Sequence, residues 1–263
     1  MRFIHITTLF LGAVFWSPVT ILASANLGEA AAFVAVDPGE FEMGRAFSID
    51  DILFEGPFRV NTPLHKVIIS QGFEIQTTEV TQGQWYKVMG ENPSRLGRDL
   101  SKACPEDFVS VGQVGICPNH PVDAVSWKLA QDYITKLNKK NDGYAYRLPT
   151  EEEWEYAARA GTDSDFCFGN DIDELKNYGW YKDNSTSRFP SRVASLRPNA
   201  WGLYDMHGNV SEWVQDNYEA EPNKVIRGGN RTSLARHVRS SSRGFANPLY
   251  GAYLFGFRLV RAR

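Results

Sequence analysis

No stretch of this 263-residue chain keeps one hydrophobic period for long. The longest helical run is SWKLAQDYITKLNKK, where Trp127, Ala130, Tyr133, Ile134 and Leu137 share one face behind a candidate cap, Ser126. Every other element must be shorter. In YRLPTEEEWEYAARAG, Thr150 and Glu153 form a capping box after Pro149, Trp154, Ala157 and Ala158 give a narrow apolar face, and Gly161 supplies a stop. The same device recurs in TEVTQGQWYKVMG, with Thr81, Gln84 and Gly90. AAFVAVDPGEFEMG reads as a short strand and hairpin, and HKVIISQGFEI as two more strands. LFGFRLVRAR, with Phe255, Phe257 and Leu259 alternating with Gly256, Arg258 and Val260, has strand spacing. Between Asn92 and Asn119 no period holds, and the residues are turn formers. The pattern predicts an α+β domain of short strands, few helices and long loops.

With 43% hydrophobic and 13% aromatic residues, the chain suits one large domain with a substantial core. Its N-terminus differs. Arg2, an apolar run from Ile6 to Leu22 and then Ala23-Ser24-Ala25 read as a signal peptide over 1–25, cleaved before Asn26. The rival, an uncleaved membrane anchor, is weakened by Thr7, Thr8, Ser17 and Pro18 within the run. The organisation expected is signal 1–25, a short lead 26–32 and one domain over 33–263. Past the signal no segment is apolar and long enough to span a bilayer, so the expected product is soluble and periplasmic or secreted. The 28 basic and 31 acidic side chains are mixed along the chain, with no basic stripe to suit nucleic acid. In an oxidising compartment Cys104 and Cys117 are expected to close their loop as a disulfide, while Cys167, between two phenylalanines, reads as a small buried apolar residue.

Several phrases in order, GEFEMG, TTEVTQGQWYKVMGENPS, HPVDAVSWKLAQDYITKLN, YRLPTEEEWEYAARAG, NAWGLYDMHGNVSEW, VIRGGN and FGFRLVRAR, together resemble the formylglycine-generating enzyme (sulfatase-modifying factor) superfamily. The resemblance runs from about Phe33 to Arg263. It implies a fold related to the C-type lectin fold, with calcium as a structural ion. It also makes the helix after Pro149 a scaffold, with Glu151, Glu152, Glu153 and Glu155 on a capped, solvated acidic face.

Two motifs could carry chemistry. DMHGNVSE places a carboxylate at each end of a tight loop, and a hard cation wants six to eight oxygens. The resemblance assigns calcium to Asp205, Gly208, Val210 and Glu212, the middle two through carbonyls. The alternative is that Asp205 and Glu212 form salt bridges or cap turns. The second motif is RGGNRTSLARHVRSSSR. Formylglycine generators carry two copper(I)-binding cysteines in this region, and here Gly229 to Arg243 contains none, so no copper is expected. Ser211 also stands where those enzymes place a tryptophan beside the pocket. What remains is polar and basic: Asn230, Arg231, Ser233, Arg236, His237, Arg239, Ser240 and Arg243. These could clamp an acidic group, or Arg239 and Arg243 could hold loops through internal salt bridges. His65, His120, His207 and His237 show no metal-binding spacing.

Two functions follow. The first is an exported accessory domain, without formylglycine-generating activity, that binds a small acidic molecule, a peptide or a partner protein beside Arg227 to Arg243. The alternative is a cysteine-independent periplasmic enzyme, like the oxidase-like member of siderophore (pyoverdine) maturation.

Overall fold

A computed structural model describes residues 27–46, 63–98, 104, 107–218 and 222–262. The expected signal segment and its cleavage point lie outside them. The architecture is α+β. One sheet has the order β1 (Phe33–Val36), β4 (Phe73–Gln76), β12 (Val260–Ala262), β7 (Ala145–Arg147), all antiparallel. A second has the order β10 (Arg243–Ala246), β9 (Lys224–Arg227), β8 (Ser211–Asn217), β11 (Phe255–Gly256), in which only the last pair is parallel. Two smaller ladders join β2 (Gly39–Met43) to β3 (His65–Ile69) and β5 (Val109–Val111) to β6 (Val114–Ile116).

The three capped helices form where the sequence places them. Helix α1 spans Gln82–Met89 with the Thr81/Gln84 capping box and Gly90 in the left-handed conformation. Helix α2 spans Trp127–Asn138 with Ser126 accepting from the Leu129 N–H. Helix α3 spans Glu151–Arg159 with the Thr150/Glu153 box; its left-handed cap is Ala160, one residue before the expected Gly161. Satisfying the free N–H groups of the first turn in this way contributes about 1 kcal/mol per cap.

Strand partners depart from expectation. β1 and β2 do not form a hairpin, because β1 pairs with β4 and β2 with β3. Their aromatic residues seek different neighbours: Phe33 lies 6.0 Å from Tyr146 and Phe41 5.2 Å from Tyr156. The C-terminal run is likewise not one strand. β11 joins the second sheet and β12 the first, and the intervening Phe257, Arg258 and Leu259 are all buried as the chain crosses between them.

The core has two main parts. Trp154, Ala157 and Ala158 of α3 pack with Ile75, Val260, Leu203, Val214 and Val225. Trp85, Tyr133, Trp213, Phe257 and Val122 form the other, with Trp85 and Tyr133 stacked at 5.2 Å. Fully burying each of the larger aliphatic and Phe side chains contributes about 1.5–3 kcal/mol. The Cys104–Cys117 disulfide is formed, and Cys167 is a buried free thiol. Among the described residues no helix is long and apolar enough to cross a membrane.

Candidate functional site

A cavity of about 90 Å³ opens on the second sheet, and each of its four strands supplies a wall: Arg243 and Gly244 from β10, Ile226 from β9, Ser211 from β8, Phe255 from β11. The loop after β9 closes it with Gly229, Asn230, Ser233 and His237, and Ser242 completes the lining. Gly229 has φ +63°, and a Cβ there would lie 2.5 Å from the His237 carbonyl oxygen, so the loop folds this tightly only with glycine. Ser211 fits beneath the loop by accepting from Asn230 Nδ2 at 3.0 Å, while Ser233 Oγ accepts from the Asn230 N–H at 3.0 Å. His237 takes the Arg236 Nε–H on Nε2 at 3.2 Å. Burial, and then the charges of Arg236 and Arg239, lower its pKa, so its imidazole is neutral at pH 7.

An ionic network adjoins this cavity through its wall residue Arg243. Arg227, fully buried, donates to Glu151 Oε1 at 3.3 Å, to Glu155 Oε2, and to the Ser240 and Ser241 carbonyls. Arg243 holds Glu151 in a two-bond fork at 2.8 Å per bond, and Arg159 donates to Glu155 Oε1 at 2.7 and 2.9 Å. Glu151 and Glu155 therefore do not face solvent as the sequence suggested. A capping box identifies a helix start, but it does not say which acidic residues meet a buried guanidinium.

Of the eight expected ligand residues, the fold brings Asn230, Ser233, His237 and Arg243 to the cavity. Ser240 is fully buried and holds Arg227 through its carbonyl. Arg239 pairs with Asp165 at 3.0 Å and Arg236 lies along His237. Arg231 is outside the cavity lining and partly buried, and its backbone N–H donates to the Asn209 carbonyl.

The DMHGNVSE loop leads into β8, where Ser211 lines the cavity and Glu212 meets Trp154 of α3. Glu212 accepts from Trp154 Nε1 and Arg258 Nε on Oε2, at 2.8 and 2.7 Å, and from Arg258 Nη2 on Oε1 at 2.8 Å. Asp205 accepts from the Ala194 N–H on Oδ2, but its buried Oδ1 has no partner. Glu79, which sequence reading missed, is fully buried beside it; its carboxyl meets that of Asp205 in a side-chain hydrogen bond and its oxygens take no other. Burial, reinforced by Asp205 and Glu212, pushes the Glu79 carboxyl well up, and burial brings Asp205 to about 6. The Asp205 end of the loop fits a hard cation, which needs unpaired oxygens. At the Glu212 end Arg258 already supplies a counter-ion, while Oε1, with one accepted bond, keeps a free lone pair. Among the described residues no three His, Cys, Asp or Glu side chains are arranged to hold a metal ion, so carbonyls must supply most of any shell.

A mixed fold of short strands around such a loop and cavity defines a class. A profile of the sulfatase-modifying factor enzyme 1-like domain matches residues 20–263, and the chain belongs to this formylglycine-generating enzyme family. It is 33% identical over 260 residues to the formylglycine-generating enzyme of Streptomyces coelicolor, covering 80% of this chain and 77% of that one. It is 30% identical over 254 residues to the serine/threonine-protein kinase pkn1 of Chlamydia pneumoniae, of which it spans only 37%. The structure of PvdO from Pseudomonas aeruginosa superposes with a TM-score of 0.70 at 28% identity, covering 88% of this chain and 94% of that one.

Proposed function

We propose that this chain is an exported, ligand-binding member of its family, an accessory protein of a periplasmic or secreted pathway that does not make formylglycine by copper–thiolate chemistry. The observation that carries this reading is the donor set of the cavity: Ser211, Ser233 and Ser242 hydroxyls, the Asn230 amide and one imidazole, with no sulfur. Copper(I) prefers thiolate and thioether, and these residues do not fit it. The three cysteines lie elsewhere. Two form the disulfide, and burial pushes the Cys167 thiol up to about 12. The cavity, about 90 Å³, is open to solvent and roomy enough to admit a side chain or a small group of a ligand. A peptide or a small molecule with one such protruding group is therefore the ligand proposed. Structural calcium at Asp205, with the carbonyls of Gly208 and Val210, belongs to the same reading.

The likeness to PvdO favours a second reading, a cysteine-independent, oxidase-like enzyme of siderophore maturation. One assay bears on both. The purified protein is incubated with copper(I), oxygen and a cysteine-containing sulfatase peptide, and the peptide is read by mass spectrometry. The thiol should survive. Copper-dependent conversion to the aldehyde would overturn the proposal.

A further inference from the structure

A second, larger hollow lies apart from the cavity, an open groove of about 630 Å³, and among the described residues none lines both. It is lined chiefly by the N-terminal lead at Glu29 and Ala30, the turn after β4 at Thr77 and Thr78, and the stretch from Arg192 to Ser195, joined by Tyr204. These segments are tied down. The Thr77 N–H donates to the Ala32 carbonyl at 2.9 Å and the Glu29 N–H to Asn119 Oδ1 at 3.4 Å. The Val193 N–H reaches the Asn119 carbonyl at 3.0 Å, and the Ala194 N–H reaches Asp205 Oδ2 at 2.8 Å. The groove is therefore preformed. Its chemistry is neutral and rich in hydroxyls. Thr77 and Thr78 donate their hydroxyl protons to the Ala32 and Glu79 carbonyls, at 3.4 and 3.0 Å, and keep lone pairs with which to accept. Ser195 Oγ accepts from Trp180 Nε1 at 2.9 Å and keeps its proton to donate. The Tyr204 hydroxyl can do either. Among the described lining residues the charges are Glu29 and Arg192, which oppose each other at 4.0 Å.

This lining disfavours three classes of ligand. An acid meets one cation, already opposed by Glu29. A peptide strand meets no free backbone: β4, which leads into the groove, lies inside its sheet between β1 and β12, and the N–H groups of Thr77, Val193, Ala194 and Tyr204 are all taken. A mostly apolar molecule would bury the hydroxyls unpaired. What complements side chains that variously donate and accept is a ligand built from hydroxyls, each able to do both. We propose that this groove binds a neutral oligosaccharide a few sugar units long, a size that suits its volume, which falls within the range of about 300–1,000 Å³ usual for small-ligand sites. The site is independent of the cavity on the second sheet.

The test uses the full chain and saturation-transfer difference NMR with three neutral trisaccharides, maltotriose, cellotriose and triacetylchitotriose. Acetylated triglycine amide and trigalacturonate serve as the peptide and acidic controls. At least one neutral trisaccharide should receive saturation, and neither control should. Ala30→Trp, at an exposed position of the lead, fills the groove and should abolish the transfer. Tyr204→Phe removes one hydroxyl and should weaken binding of the same sugar about fivefold, the ratio expected of one neutral hydrogen bond. Melting curves of both variants check that they are folded. Transfer to none of the three sugars, or transfer to either control as strong as to the best sugar, would overturn the inference. So would transfer that survives both Ala30→Trp and Tyr204→Phe unchanged. Loss of transfer in Ser233→Ala would place the sugar in the cavity instead, and would overturn it too.

Discussion

Asp123 shows how much one buried side chain can weigh on the fold. Its side chain is almost wholly enclosed, its Oδ1 has no partner, and burial raises its pKa from 3.8 to about 7 against the lowering effects of Ser94 and the Arg95 backbone. A raised carboxyl pKa favours the folded state while the proton is held. That contribution is complete below about pH 4 and is lost as pH rises through about 7. Asp123→Asn should remove this dependence, so its melting temperature should fall less than that of wild type between pH 4 and pH 8. A difference on the order of 3–4 kcal/mol across the window is expected from the size of the shift; parallel profiles would contradict it. Residue identity gave no hint of this behaviour, because an aspartate in a turn-rich phrase is ordinarily solvated. The arginines present a related ambiguity. Arg239 and Arg243 read equally well as anion clamps or as loop braces, and the choice depends on Asp165 and Glu151, which only the folded chain brings beside them.

Helix α3 is the element that joins the two charged centres. Glu151 and Glu155 reach the guanidiniums beside the cavity, and Trp154, between them in sequence, donates to Glu212 of the acidic loop. Three guanidiniums, Arg159, Arg227 and Arg243, share two carboxylates on the cavity side. Removing either carboxylate strands buried positive charge. Glu155→Gln should therefore destabilise the protein by about 3–5 kcal/mol, whereas Glu152→Gln, on a partly exposed position of the same helix, should stay within about 0.5 kcal/mol. Chemical denaturation of the two variants makes the comparison, and equal midpoints would contradict the buried network. The boundaries of this helix were legible because capping is a local event between residues three apart. Which of its acids are buried was not, because that depends on strands more than fifty residues further along the chain.

Across the whole molecule the two charged centres carry opposite excesses. On the acidic side Glu79, Asp205 and Glu212 share one guanidinium, Arg258. A cation at Asp205 would offset that excess and, by binding only the folded state, would stabilise the entire domain by mass action. Calcium should therefore raise the melting temperature relative to chelator, and Asp205→Ala should abolish the difference. Identical melting curves for wild type in calcium and in chelator, with no calcium found by elemental analysis, would refute it. The sequence by itself determined the family, the α+β class, the three capped helices and the cysteine pairing, because these depend on local spacing or on long phrases read in order. Only the tertiary structure decided that β1 and β2 part company, that the C-terminal strand breaks in two, and which arginines pair with Glu151, Glu155 and Asp165. Strand partners and ion pairs are settled by packing between segments far apart in the chain, where no local period reaches.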